Sequence, residues 1–146
     1  MENREIYFKE LFNVLKSLVS KEFVIPDFGQ VQKQKLVAPD NQENFELLIN
    51  RKGHLRLDNL TYIMFSKKIG QMIRLDVSGS GHFNAIDGTN TPTPHIHIFD
   101  SSDFSTNKVL HISEIDKDFC SELRDSIIFF LDYNNVDWDD VEIPLI

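Results

Sequence analysis

The chain has 146 residues, the size of one domain, and 41% of them are hydrophobic, which excludes a wholly disordered polymer. With 15 Lys and Arg against 23 Asp and Glu, its formal net charge is -8, which opposes broad coating of double-stranded DNA and binding to anionic membranes. A single cysteine, Cys120, excludes an intramolecular disulfide.

Met1 to Lys21 lacks the apolar run and small-residue cleavage site of a signal peptide, and no stretch approaches the ~20 apolar residues of a membrane span. A cytoplasmic location is the expectation. From Arg4 to Lys21, apolar residues recur in three- and four-residue steps (Tyr7, Phe8, Leu11, Phe12, Val14, Leu15, Leu18, Val19), which predicts a helix lying on a sheet. Its polar face carries Lys9, Glu10, Asn13, Lys16 and Ser17. Pro26 and Gly29 break the pattern. Val31 to Val37 is polar enough for an edge strand.

At Phe45 the period changes to two, and Phe45, Leu47 and Ile49 share one face of a strand. Asn50 to Gly53 forms a hairpin turn, and His54 to Phe65 a second strand kinked near Asp58-Asn59. Ser66 to Gly70 turns the chain into the clearest strand, Gln71 to Val77. There Ile73, Leu75 and Val77 point one way and Met72, Arg74 and Asp76 the other. His82 to Pro94 reads as a long irregular loop, His95 to Phe99 and Val109 to Ile112 as short strands. A helix from Asp116 to Tyr133 follows, with Phe119, Leu123, Ser126, Ile127 and Phe130 inward and Asp116 and Asp118 at its positive end. Cys120 on this helix is expected to be a small core residue. The tail, Asn134 to Ile146, reads as a solvated acidic end. The prediction is one α+β domain over residues 1–146, a mostly antiparallel sheet flanked by an N-terminal and a C-terminal helix.

The strongest chemical signal is His95 and His97, two residues apart on a strand and so on one face, while Ile96 and Ile98 enter the core. If the neighbouring strand is Gln71 to Val77, Arg74 and Asp76 share that face. Arg74 would hold a carboxylate or phosphate, Asp76 would orient a histidine, and His82 and Asn84 would contact ligand from the loop. Three readings compete. His82, His95 and His97 could bind a divalent metal with an open position. His95 and His97 could act as acid and base on a phosphoester, with Asp76 orienting them and Arg74 stabilising the anion. Or the histidines simply hydrogen-bond the loop on an exposed sheet face. Ser78-Gly79-Ser80-Gly81 follows a strand but lacks the Lys-Ser/Thr ending of a phosphate loop, and no helix follows. Asp137, Trp138, Asp139 and Asp140 form an acidic and aromatic cluster suited to a basic protein groove.

Ile73-Arg74-Leu75-Asp76, Gly81-His82-Phe83-Asn84, Asp87-Gly88 and Pro94-His95-Ile96-His97-Ile98-Phe99 resemble the pattern of an uncharacterised family of small bacterial and prophage proteins. Phe130-Leu131-Asp132-Tyr133-Asn134 and Ile143-Pro144 add to the likeness, which runs from about Phe45 to the C-terminus. The resemblance implies a mobile-element context, in which small proteins serve as toxins, antitoxins or inhibitors of host defence. Two functions are therefore expected. One is a module that binds, or an enzyme that cleaves, a phosphorylated small molecule or RNA on the Arg74/Asp76/His95/His97 surface. The other is a non-catalytic acidic inhibitor that docks on a basic host protein. Neither expectation fixes an oligomeric state.

Overall fold

The computed structural model describes residues 4–52, 59–84, 87–99 and 108–144. In chain order these form α1 (Arg4–Asn13), β1 (Lys16–Leu18), β2 (Val31–Val37), β3 (Asn44–Asn50), β4 (Thr61–Ser66), β5 (Gly70–Asp76), β6 (His82–Asn84), β7 (Thr89–Thr91), β8 (His95–Ile98), β9 (Lys108–His111), α2 (Leu123–Tyr133) and β10 (Val136–Asp137). Eight strands make one sheet in the order β10-β1-β2-β3-β4-β5-β8-β9, and β6 and β7 pair separately. The described pairs are antiparallel except β1 with β10. The fold is α+β, with a helix near each terminus against a large, mostly antiparallel sheet. Among the described residues, no helix is long and apolar enough to cross a membrane.

The period-two pattern carries the centre of the sheet. Leu36, Phe45, Met64, Ile73 and Leu75 line one face with Leu47, Ile49, Tyr62 and Ile96, all of them buried. α2 covers that face: the Tyr62 hydroxyl lies 2.6 Å from Ser126 Oγ, and the Tyr62 and Phe130 rings meet at 5.5 Å. α1 packs beside it through Phe12 and Tyr133, whose ring centroids are 5.3 Å apart. Arg4 fastens α1 to the sheet by donating to the carbonyls of Ile69, Gln71 and Phe99.

Several expectations are corrected. The first helix stops at Asn13, and Lys16 does not lie on a solvated face. It is wholly buried in β1, and its Nζ donates to the carbonyls of Phe12 (3.0 Å), Val14 (3.1 Å) and Asn134 (2.7 Å). These carbonyls sit where both helices end, the partly negative ends that a cation satisfies. β2 is not an edge strand, because β1 pairs with it on the side away from β3. Its polar character is used locally, with Gln34 exchanging hydrogen bonds with the backbone of Val24. Gly53 of the expected turn and His54 to Asp58 of the expected strand lie outside the described residues; β4 itself begins at Thr61.

The stretch from His82 to Pro94 is not wholly irregular, since β6 and β7 pair within it. Its polar residues satisfy one another: Asn84 Nδ2 donates to Thr89 and Thr91, and the Asp87 carboxylate accepts from the Thr89 amide and hydroxyl. The second helix begins at Leu123, not Asp116. Asp116 instead accepts the amide of Asp118, a local bond that competes with helix. Cys120 is consequently outside the helix and exposed, not a core residue. The tail is also more than a solvated end. Val136 enters the sheet, and Val141 and Ile143 are buried, while Asp137, Asp139 and Asp140 stay exposed.

Burial lowers the Lys16 pKa from 10.5 to about 8. The unfolded chain keeps that proton to higher pH than the folded chain, so stability should rise with pH between those values. The rise should be at most ~1.4 kcal/mol per pH unit. Urea denaturation at about pH 7.5 and about pH 9.5 should show wild type gaining on Lys16→Met. Equal pH responses of the two proteins would contradict this.

Candidate functional site

The site is assembled by strand register on the sheet face opposite α2. Asp76 on β5 pairs with Thr61 on β4 and with His95 on β8, which in turn pairs with His111 on β9. Two residues away, Arg74 pairs with His97. Because residues two apart on a strand leave the same face, Thr61, Arg74, Asp76, His95 and His97 converge. They line a cleft of about 350 Å³ together with Asn59, the Ser78–Gly81 turn and His82.

Asp76 is the centre of this cleft. Its Oδ2 accepts from His95 Nε2 at 2.9 Å and from His97 Nε2 at 3.2 Å. Its Oδ1 accepts from Thr61 Oγ1 at 2.8 Å and Arg74 Nε at 3.0 Å. Burial by itself pushes the carboxyl pKa up. The hydrogen bonds from His95 and His97, the Arg74 charge and the Thr61 hydroxyl outweigh it and hold Asp76 well below the usual carboxylate range. A carboxylate only accepts, so both imidazoles turn an Nε2–H toward it. The His95 side chain is 2% exposed, the His97 side chain 15% and the Arg74 side chain 43%. His95 is therefore the buried floor of the cleft rather than part of an open surface, and its Nδ1 has no hydrogen-bond partner among the described residues.

The hairpin supplies one wall. The His82 ring stands perpendicular to that of His97, with centroids 5.2 Å apart, and 6.4 Å from that of His95. Partial desolvation, then the neighbouring His97 and His95, push the His82 pKa down, with Asp76 opposing them. Gly81 is required here, because a Cβ at that position would meet Asn90 Oδ1 at 2.8 Å and the Thr91 carbonyl at 3.0 Å. Asn84 is not brought into the cleft lining; its amide is spent inside the hairpin. Two members escape a reading of single strands: Thr61 needs the β4–β5 register to be placed, and Asn59 enters from the segment before β4. Phe99, stacked on His97 at 5.9 Å, continues the alternation of His95 and His97 by two.

The acidic cluster belongs elsewhere. Asp137 lies on β10, separated from β8 by five strands in the sheet order. Trp138 Nε1 donates to Asp132, and Asp140 pairs with Lys21 at 2.9 Å.

The chain belongs to the family of unknown function DUF6978, whose model matches residues 4–136. The match starts with α1, well before Phe45, and takes in the cleft strands β4, β5 and β8 and the hairpin; it ends before Ile143-Pro144. No curated protein and no solved structure matches the chain.

Asp76→Asn should lower stability by ~1–3 kcal/mol, because an amide cannot accept all the bonds the carboxylate accepts. Nitrogen NMR of ion-free wild type should report Nε2–H on both His95 and His97, and the substitution should disturb both rings. Unchanged stability together with unchanged imidazole signals would contradict the central role of Asp76.

Proposed function

We propose that the cleft binds a phosphorylated ligand, a small molecule or RNA, and breaks a phosphoester bond in it. The observation that carries this reading is the Asp76 carboxylate holding two histidines in one cleft with an arginine beside them. Phosphoester cleavage needs a group that takes a proton from the attacking hydroxyl, one that returns a proton to the leaving oxygen, and a cation for the phosphoryl charge. His95 and His97 are the proton carriers, and Asp76 sets the orientation of both rings. Arg74 uses its Nε on Asp76. The guanidinium carries four further N–H groups, in the planar geometry that suits phosphate. The attacking hydroxyl is water for a small molecule and the adjacent 2′-OH for RNA.

Charge supports the same surface. Among the described residues, the ionisable groups lining the cleft are Arg74, Asp76 and three histidines, in a chain that is otherwise strongly acidic. Among the described residues that line it, the cleft thus carries no net negative charge, and a phosphate meets an arginine there.

Two measurements test the proposal. Arg74→Ala should weaken binding of a nucleoside monophosphate probe roughly tenfold, about 1.4 kcal/mol. The double variant His95→Ala/His97→Ala should abolish cleavage of single-stranded RNA and of a phosphomonoester. Cleavage of either substrate by the folded double variant at the wild-type rate would overturn the enzyme. Reversing Asp137, Asp139 and Asp140 to Lys should leave binding and cleavage unchanged; if that variant alone loses the cellular effect of the protein, the acidic cluster carries the function.

A further inference from the structure

We propose that Asp76, His95 and His97 are the ligands of a divalent transition-metal ion, of the zinc or manganese class. The proposal rests on the phosphoryl reading for its substrate, and it replaces His95 and His97 as proton carriers with His82.

One donor atom from each of the three side chains lies within 4.8 Å of the other two. Two of the separations are 2.9 and 3.2 Å, from Asp76 Oδ2 to the two imidazole Nε2 atoms. Nitrogen and oxygen ligands sit ~2.0–2.2 Å from such an ion, so two of them on adjacent positions are about 3.0–3.5 Å apart. The two Asp76–histidine separations thus lie close to the spacing that one ion would impose. The donor types agree: two imidazoles with one carboxylate favour zinc, iron or manganese, whereas calcium and magnesium seek all-oxygen sites.

The carboxylate is held as a ligating carboxylate would be. Ligating carboxylates are normally held by hydrogen bonds on the oxygen that does not bind metal. Thr61 and Arg74 hold Asp76 Oδ1 in this way and leave Oδ2 to the ion. All three ligands stand on paired strands and cannot drift apart as loop residues do. His82, which the sequence places third with His95 and His97, is instead the neighbour of the open side, its ring 5.2 Å from that of His97. Three protein ligands leave room for a water and a phosphoryl oxygen, the arrangement that makes a nucleophile at neutral pH. In the loaded cleft His95 and His97 serve as ligands, and His82 becomes the nearest proton carrier.

The test uses the untagged full chain, stripped with a chelator and titrated separately with Zn²⁺ and Mn²⁺. Elemental analysis after gel filtration should find about one ion per chain. Nitrogen NMR should show the protons of His95 and His97 moving from Nε2 to Nδ1 as Nε2 takes the ion. His97→Ala, at the least buried ligand, should weaken retention by more than about tenfold, and Thr61→Val by roughly ten- to hundredfold. Asp139→Asn should have no effect. A folded wild-type chain that retains no ion, or a His97→Ala variant that retains as much as wild type, would overturn the site. If the nucleoside monophosphate still binds and is cleaved in excess chelator, the metal proposal falls and the phosphoryl reading stands. One tightly held ion with no phosphate binding would leave the metal site and remove the phosphoryl reading.

Discussion

The Asp76 carboxylate is the constraint on which the rest of the cleft depends. A buried anion without partners costs several kcal/mol, so its neighbours must answer for it. Asp76 meets that demand with four donors drawn from β4, β5 and β8. The strands must therefore hold one register, since a slip of one residue would turn every one of these side chains to the opposite face. The core on the α2 side enforces the same register independently, through Tyr62, Leu75 and Ile96 in a single cross-strand row. Hydrophobic packing on one face thus positions the polar network on the other, and neither face can shift without the other.

That coupling explains which parts of the molecule are legible in the amino-acid order. Period-two alternation is strong where a strand is apolar on one face, so the central strands and the shared face of Arg74, Asp76, His95 and His97 can be read locally. It fails where tertiary contacts override local pattern. Leu15, Leu18 and Val19 continue a helical stripe, yet the chain leaves the helix because Lys16 can close the carbonyl ends of both helices and Leu18 can fill the core. β10 cannot be read from Val136-Asp137, two residues whose strand character comes entirely from β1. The hairpin of β6 and β7 is hidden for the opposite reason, since its pairing is sustained by Asn, Asp and Thr side chains with no apolar alternation to reveal it.

The same division applies within the site. Two histidines at a spacing of two announce themselves, but their burial does not. His95 looks like a surface residue because its neighbours on the strand are core isoleucines, and it becomes the floor of the cleft only when Asp76 and the hairpin close over it. Thr61 is invisible for a different reason. A threonine in an apolar strand is ordinary, and its role follows from lying opposite Asp76 across β4 and β5. Asn84 shows the converse error, a polar residue near a candidate site whose hydrogen bonds are needed to build the wall rather than to meet a ligand.

Net charge constrains this cleft less than it constrains the protein. Counterions screen separated surface charges over about 8 Å at physiological ionic strength. The exposed acids Asp137, Asp139 and Asp140 lie at the β10 end of the sheet order, while the cleft lies between β5 and β8. A phosphorylated ligand of the kind proposed would be slowed by the overall field but, once in the cleft, would be governed by Arg74 and the groups around Asp76. Among the described residues, the negative charge lining the cleft is Asp76, which is held by four donors. With its carboxylate held by four protein donors, the pocket would suit the proposed anion, or the proposed cation carrying one. An extended polyanion such as duplex DNA would have to cross the acidic surface as well, and so meets the repulsion that a short ligand avoids.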